Sequence, residues 1–119
     1  MKIPGPDHPI TIRPAEGRVV VRFAGETIAD TRHALELRES TYPAVLYIPR
    51  GDADMAHFSP TAHTTHCPYK GNASYFDLAA GTAKAANAVW SYQQPYPAMA
   101  EIKDHLAFYP QHVSIERSA

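Results

Sequence analysis

The stretch Arg18-Val19-Val20-Val21-Arg22-Phe23-Ala24-Gly25-Glu26-Thr27-Ile28-Ala29 decides the fold class. A run dominated by valine and phenylalanine, a glycine, and a second short run ending on Ile28-Ala29 reads as strand, turn, strand. Gly25 takes a positive φ without a steric penalty, so the chain can reverse at that point. The flanking segments repeat the pattern. Thr11 to Arg13, Ala34 to Leu37 and Ala44 to Ile48 are of strand length and strand composition. Pro14-Ala15-Glu16-Gly17 and Pro49-Arg50-Gly51-Asp52 supply turn chemistry between them. The first half therefore reads as an antiparallel meander.

Later strands are expected at Ser74 to Leu78, Ala85 to Tyr92, Ala107 to Tyr109 and Val113 to Glu116. Eleven prolines break long helices, and one short helical segment remains, Pro97 to Asp104, with Met99, Ile102 and Leu106 on one face. The expected fold is mainly β, built from antiparallel sheets with one short helix in the C-terminal half. With 119 residues, no internal repeat and no composition shift, the chain reads as one domain, residues 1–119, with residues 1–8 as an N-terminal arm.

Composition excludes several functions. Hydrophobic residues at 45% and charged residues at 19% are those of a folding chain, not a disordered one. A formal charge of -1 provides no field to hold nucleic acid or an anionic membrane surface. No apolar run has the length of a signal peptide core or a membrane span, so a soluble, cytoplasmic chain is expected, folding alone or as a small oligomer such as a homodimer. The single cysteine, Cys67, allows neither an internal disulfide nor a four-cysteine zinc site.

A series of segments runs from Gly17-Arg18-Val19 through Gly25 to Asp30, Tyr42-Pro43 and Tyr47-Ile48-Pro49-Arg50. It continues through His63-Thr64-Thr65-His66-Cys67-Pro68-Tyr69-Lys70-Gly71, Ala73-Ser74-Tyr75, Ala88 to Tyr92, and Ala107-Phe108-Tyr109. In that order these segments resemble the family of domain of unknown function 427, sometimes labelled nucleotidyltransferase-like. The resemblance implies a β-tent, in which two antiparallel sheets meet at a steep angle around a cleft. Zinc-binding relatives of that fold carry paired Cys-x-x-Cys knuckles, which this sequence lacks, so zinc is not carried over.

The segment Thr65 to Gly71 is the expected functional centre. Cys67, flanked by His63, His66 and Lys70, is a candidate catalytic nucleophile if nearby positive charge stabilises its thiolate; the favoured reading is a small buried hydrophobe beside Pro68, since free cysteine is among the most buried residue types. Lys70 before Gly71 can meet a phosphate or carboxylate, although the upstream glycines of a P-loop are missing. Arg50 can offer a fork to an anionic ligand or pair with Glu39. If Arg50, Glu39 and Lys70 share one cleft, the ligand is a small anionic or polar metabolite. Tyr69 and Trp90 are the aromatic residues expected at the ligand, with Tyr47, Tyr75, Tyr92 and Tyr109 filling core or lining a pocket. His63 is expected to hydrogen-bond a loop carbonyl or the ligand. His57, His63, His66 and Cys67 depart from metal-ligand spacings, so neither a metal nor another cofactor is expected.

Three functions follow. The first is a small-molecule-binding or enzymatic cleft between sheets. The second is a noncatalytic module that captures a peptide or protein. The third, metal-dependent nucleotidyl transfer, would use Asp52 and Asp54, but no third carboxylate stands in register and a turn role after Gly51 explains both.

Overall fold

The computed structural model describes residues 1–119. Its strands are β1 (Ile10–Pro14), β2 (Arg18–Phe23), β3 (Glu26–Thr31), β4 (Leu35–Glu39) and β5 (Val45–Tyr47), then β6 (Phe58–Cys67), β7 (Gly71–Ala80), β8 (Ala83–Ser91), β9 (Leu106–Phe108) and β10 (Ser114–Ser118). All pairings are antiparallel, in three sheets ordered β1-β4-β5, β10-β2-β3 and β6-β7-β8-β9. The mainly β, antiparallel expectation stands.

The β2–β3 hairpin closes as its sequence requires. Phe23 pairs with Glu26, and both turn residues take positive φ, 50° at Ala24 and 82° at Gly25, the pattern of a type I′ turn. Val19, Val21 and Phe23 alternate onto the buried face. The partners of the early strands differ from a meander. β1 pairs with β4, and the free edge of β2 is taken by β10 from the other end of the chain. Pro14 to Gly17 turns β1 away from β2, with Ala15 buried and its N–H donating to Ala34 O at 2.8 Å. Alternation marks a strand but carries no record of its neighbour.

β6 is a strand where none was expected. It forms an edge of the four-stranded sheet, and most of Phe58-Ser59-Pro60-Thr61-Ala62-His63-Thr64-Thr65-His66-Cys67 is exposed, so no apolar alternation signals it. Pro60 is tolerated because an edge strand can leave one side unpaired. The expected helix is a kinked 3-10 segment, Pro97–Ile102, with φ -112° and ψ 18° at Met99. Its buried residues are Met99 and Ile102, while Leu106 belongs to β9.

Two apolar clusters organise the interior. The larger joins Val19, Val21, Phe23 and Ile28 to Phe76, Leu78, Val89, Leu106 and Phe108. The smaller holds Leu37, Tyr47, Tyr75, Tyr92, Met99 and Ile102. β9 shows how one sheet serves both, since Leu106 and Phe108 face the larger cluster and Ala107 the smaller. Reciprocal bonds between Ile48 and Leu106, at 2.8 and 2.7 Å, link β5 to β9 and hold the β1-β4-β5 sheet against the β6–β9 sheet. No helix is long and apolar enough to cross a membrane.

Candidate functional site

The turn from β6 to β7 sets the position of Lys70. Cys67 pairs with Gly71 across it, and Tyr96 N–H donates to Lys70 O at 2.9 Å, anchoring the turn to the segment before the 3-10 turn. Gly71 has φ +111°, a backbone angle that glycine adopts without strain, while a Cβ there would meet its nearest neighbour, Gln94 O, at an ordinary contact distance of 3.4 Å. The Lys70 side chain is consequently turned inward, and the residue is only 6% exposed.

A lysine this buried needs a partner, and β4 supplies it at its last residue. The Lys70 ammonium donates to Glu39 Oε1, and Glu39 Oε2 lies 2.7 Å from His8 Nε2. Burial by itself would push the Glu39 carboxyl up. The hydrogen bonds from Lys70 and His8 overcome that and hold it below the ordinary carboxyl range. Lys70 Nζ also lies 3.8 Å from Cys67 Sγ.

This pair lies on the wall of a cavity of about 270 Å³. From β4, β5 and their connection come Leu37, Glu39, Tyr42, Pro43, Val45 and Tyr47. The opposite side provides Lys70, Tyr75, Trp90, Tyr92 and Tyr109. Their polar tips are connected. Trp90 Nε1–H donates to the Tyr47 hydroxyl at 3.3 Å, and the Tyr75 hydroxyl lies 2.9 Å from Thr65 Oγ1 and 3.4 Å from the Tyr109 hydroxyl. Trp90 packs on Tyr109 with ring centroids 4.6 Å apart. Burial raises the phenols of Tyr47 and Tyr92 above their ordinary value and pushes Tyr109 up to about 12, with the Tyr75 hydrogen bond adding to the last. At neutral pH these three hydroxyls therefore keep their protons and remain donors.

A second concavity, about 320 Å³, lies over Thr11, Arg13, Glu16, Glu36, Arg38 and Arg117. It offers no aliphatic or aromatic wall beyond Pro14, and Glu36 is already held by Arg38 at 2.6 Å and Arg117 at 3.6 Å. The smaller, aromatic-walled cavity is the one suited to excluding water from a ligand.

Of the residues singled out in sequence, Lys70, Glu39 and Trp90 meet at this cavity. Four do not line it. Tyr69 stacks on His8, with centroids 4.2 Å apart and planes at 9°. Arg50 is exposed, with its guanidinium carbon 5.4 Å from the centroid of Phe76, and neither of Glu39's two ionic partners is Arg50. His63 is exposed and turns its ring against Tyr75 at 4.5 Å between centroids. Cys67 is partly buried and packs against the smaller apolar cluster.

The other histidines and the two aspartates have local duties. His57 Nδ1 is 2.9 Å from Ala79 O and His66 Nδ1 is 2.7 Å from Asn72 Oδ1. Asp52 accepts from the Thr31 hydroxyl at 2.6 Å, and Asp54 accepts from Ala56 N–H at the start of a 3-10 turn. No three His, Cys, Asp or Glu side chains gather as metal ligands.

Sequence reasoning missed His8 and Tyr42. The first sits in a segment read only as an arm. The second had a signal in the Tyr42-Pro43 pair but no place in the site until the β4–β5 connection was folded.

A family model described as domain of unknown function (DUF427) matches residues 11–119. No curated protein matches the chain. The matched region holds Glu39, Lys70 and every other residue lining the aromatic cavity, whereas His8 precedes it.

Proposed function

The chain belongs to the DUF427 family, whose description names no activity, and from that premise we propose that the protein binds a small, uncharged, flat polar molecule in the Glu39–Lys70 cavity. The observation that carries this proposal is an ion pair between buried Lys70 and partly buried Glu39 on the wall of an aromatic pocket. Removing two charges from water is expensive, and well-packed apolar side chains in their place would serve stability as well or better. A ligand that uses the pair gives it a purpose.

The free valences define that ligand. An ionised carboxylate has about four acceptor sites, and Lys70 and His8 take two of those on Glu39. An ammonium has three donors, of which Glu39 takes one and the Cys67 sulfur faces another. The pair thus retains an acceptor beside a donor, complementary to a ring that presents N–H beside a carbonyl. Because the two charges cancel and Arg50 lies elsewhere, the pocket has no excess positive charge to reward an anion. Tyr42, Trp90 and Tyr109 supply flat walls for such a ring. At the bulk volume of a water molecule, the space holds roughly ten non-hydrogen atoms.

The test is a thermal-shift screen of single-ring heterocycles and amides against carboxylates and phosphates of similar size. Neutral donor–acceptor rings should stabilise the wild type and not Lys70→Met or Trp90→Ala. Stabilisation by anions alone, or equal shifts in all three proteins, would remove the proposal.

A noncatalytic peptide-binding role has one observation in its favour: β6 is a ten-residue edge strand without a lysine, arginine, aspartate or glutamate. It ranks second because Pro60 and the register shift between Pro60 and Thr64 both blunt that edge. Nucleophilic catalysis by Cys67 ranks lower: Lys70 Nζ lies 3.8 Å from its sulfur, but that ammonium is engaged by Glu39 and Cys67 does not line the cavity. Nucleotidyl transfer by Asp52 and Asp54 ranks last, since both carboxylates accept structural hydrogen bonds.

A further inference from the structure

We infer that His8 is a positioning residue of the Glu39–Lys70 cavity, and that the N-terminal arm is the strap that carries it. For its effect on ligand this rests on the binding proposed above; for its effect on Glu39 it does not.

The arm is tied down at several points. Lys2 N–H donates to Pro68 O at 2.7 Å, on the same β6–β7 turn that presents Lys70. Gly5 and His8 exchange backbone bonds at 3.0 and 3.3 Å, which folds the arm into a turn. The His8 ring then lies flat on Tyr69, and the Lys2 ammonium stands 5.9 Å from the centroid of the same ring. Tyr69 is therefore the arm's docking platform, which explains why it is absent from the cavity wall.

His8 does not line the cavity. It reaches Glu39 Oε2 while Lys70 holds Oε1. Ionised Glu39 can only accept, so Nε2 of His8 carries the proton and donates it. The terminal torsion of a glutamate is broad when one oxygen alone is held. Two donors on two oxygens fix the carboxylate plane, and with it the direction of the lone pairs left for a ligand. No other side chain bonds Glu39, and the shift of its carboxyl comes from burial, Lys70 and His8 alone; the Tyr47 and Tyr92 phenols, which burial and its charge push up, face it as neutral groups. No neighbouring side chain therefore stands in for the His8 bond. Lys70 belongs to the family-matched region and His8 lies before it, so the arm adds this constraint from outside that region.

The experiment is an NMR titration of the Glu39 carboxyl carbon in the full-length wild type, His8→Ala and His8→Gln. Glutamine retains an N–H donor of similar reach but not the aromatic ring. The expected result is a midpoint that rises toward the ordinary carboxyl value in His8→Ala and returns toward wild type in His8→Gln. An unchanged midpoint in His8→Ala, or a glutamine variant indistinguishable from alanine, would overturn the positioning role, since a purely packing role would lower stability without moving the titration. For a ring compound found to bind wild type, His8→Ala should weaken affinity roughly five- to tenfold and His8→Gln should recover most of it. If no compound binds the wild type, the cavity proposal fails while the titration still decides the role of His8.

Discussion

Replacing Lys70 with methionine should destabilise the fold far more than replacing Lys70 and Glu39 together. The single change removes the ammonium that Glu39 Oε1 accepts from and leaves a carboxylate whose side chain is only 17% exposed. Fully buried pairs lose about 3–5 kcal/mol when one partner is removed, and exposed pairs about 0–1. Glu39 retains His8 and some water, so Lys70→Met falls between, at about 2–3 kcal/mol. Glu39→Gln strands an ammonium on a side chain 8% exposed and should cost about 3 kcal/mol. The double variant Glu39→Gln/Lys70→Met leaves no charge behind and should lie within about 1 kcal/mol of wild type. Urea unfolding of the four proteins at neutral pH measures the cycle, with the slopes compared to confirm a common unfolded state. The expected coupling is about 4 kcal/mol or more, and each single variant should lose about 10 °C in Tm. Single effects that simply add in the double variant would refute an interaction between the two buried charges.

Three further outcomes follow. Because the Glu39 carboxyl is held below its ordinary value of 4.5, its native bonds favour the ionised form and the unfolded chain takes up its proton first as pH falls. Its contribution is therefore complete above that ordinary value and lost as pH drops through the folded one, so urea midpoints of wild type and Glu39→Gln should converge as pH falls below the ordinary carboxyl range; a constant gap would contradict the assignment. Gly17→Ala should destabilise by about 1–3 kcal/mol in urea melts, since φ is +79° and the new Cβ would lie 2.0 Å from Ser118 O; unchanged stability would deny the close approach of β10. Cys67, packed against the smaller cluster, should be alkylated more slowly in the folded chain than in urea, and native labelling faster than that of the unfolded chain would restore its candidacy as a nucleophile.

Strand identity was legible wherever one face is buried. β2, β3 and β8 carry their alternation openly because Val19, Val21, Ile28 and Val89 point into the larger cluster. β6 was not legible because an edge strand with most of its side chains in water has no apolar period to read. Partner choice was also hidden: nothing in Arg18 to Phe23 announces that β10, nearly a hundred residues on, will close its free edge. At the site, Lys70 and Glu39 were readable as charges but not as a pair, since 31 positions separate them. Arg50 had the chemistry to join them and lacks the position, because its 3-10 turn places it over Phe76. His8 gave no signal at all, as an arm rich in proline and glycine reads the same whether docked or free.

The most direct measurement uses the chain's only tryptophan, Trp90, which lines the cavity and donates to Tyr47. Its fluorescence, titrated with a neutral single-ring compound bearing N–H beside a carbonyl, reports on the site alone. A saturable change in wild type that disappears in the folded double variant Glu39→Gln/Lys70→Met is the predicted result. Either no saturable change across such compounds, or the same change in both proteins, would contradict a ligand held by the Glu39–Lys70 pair.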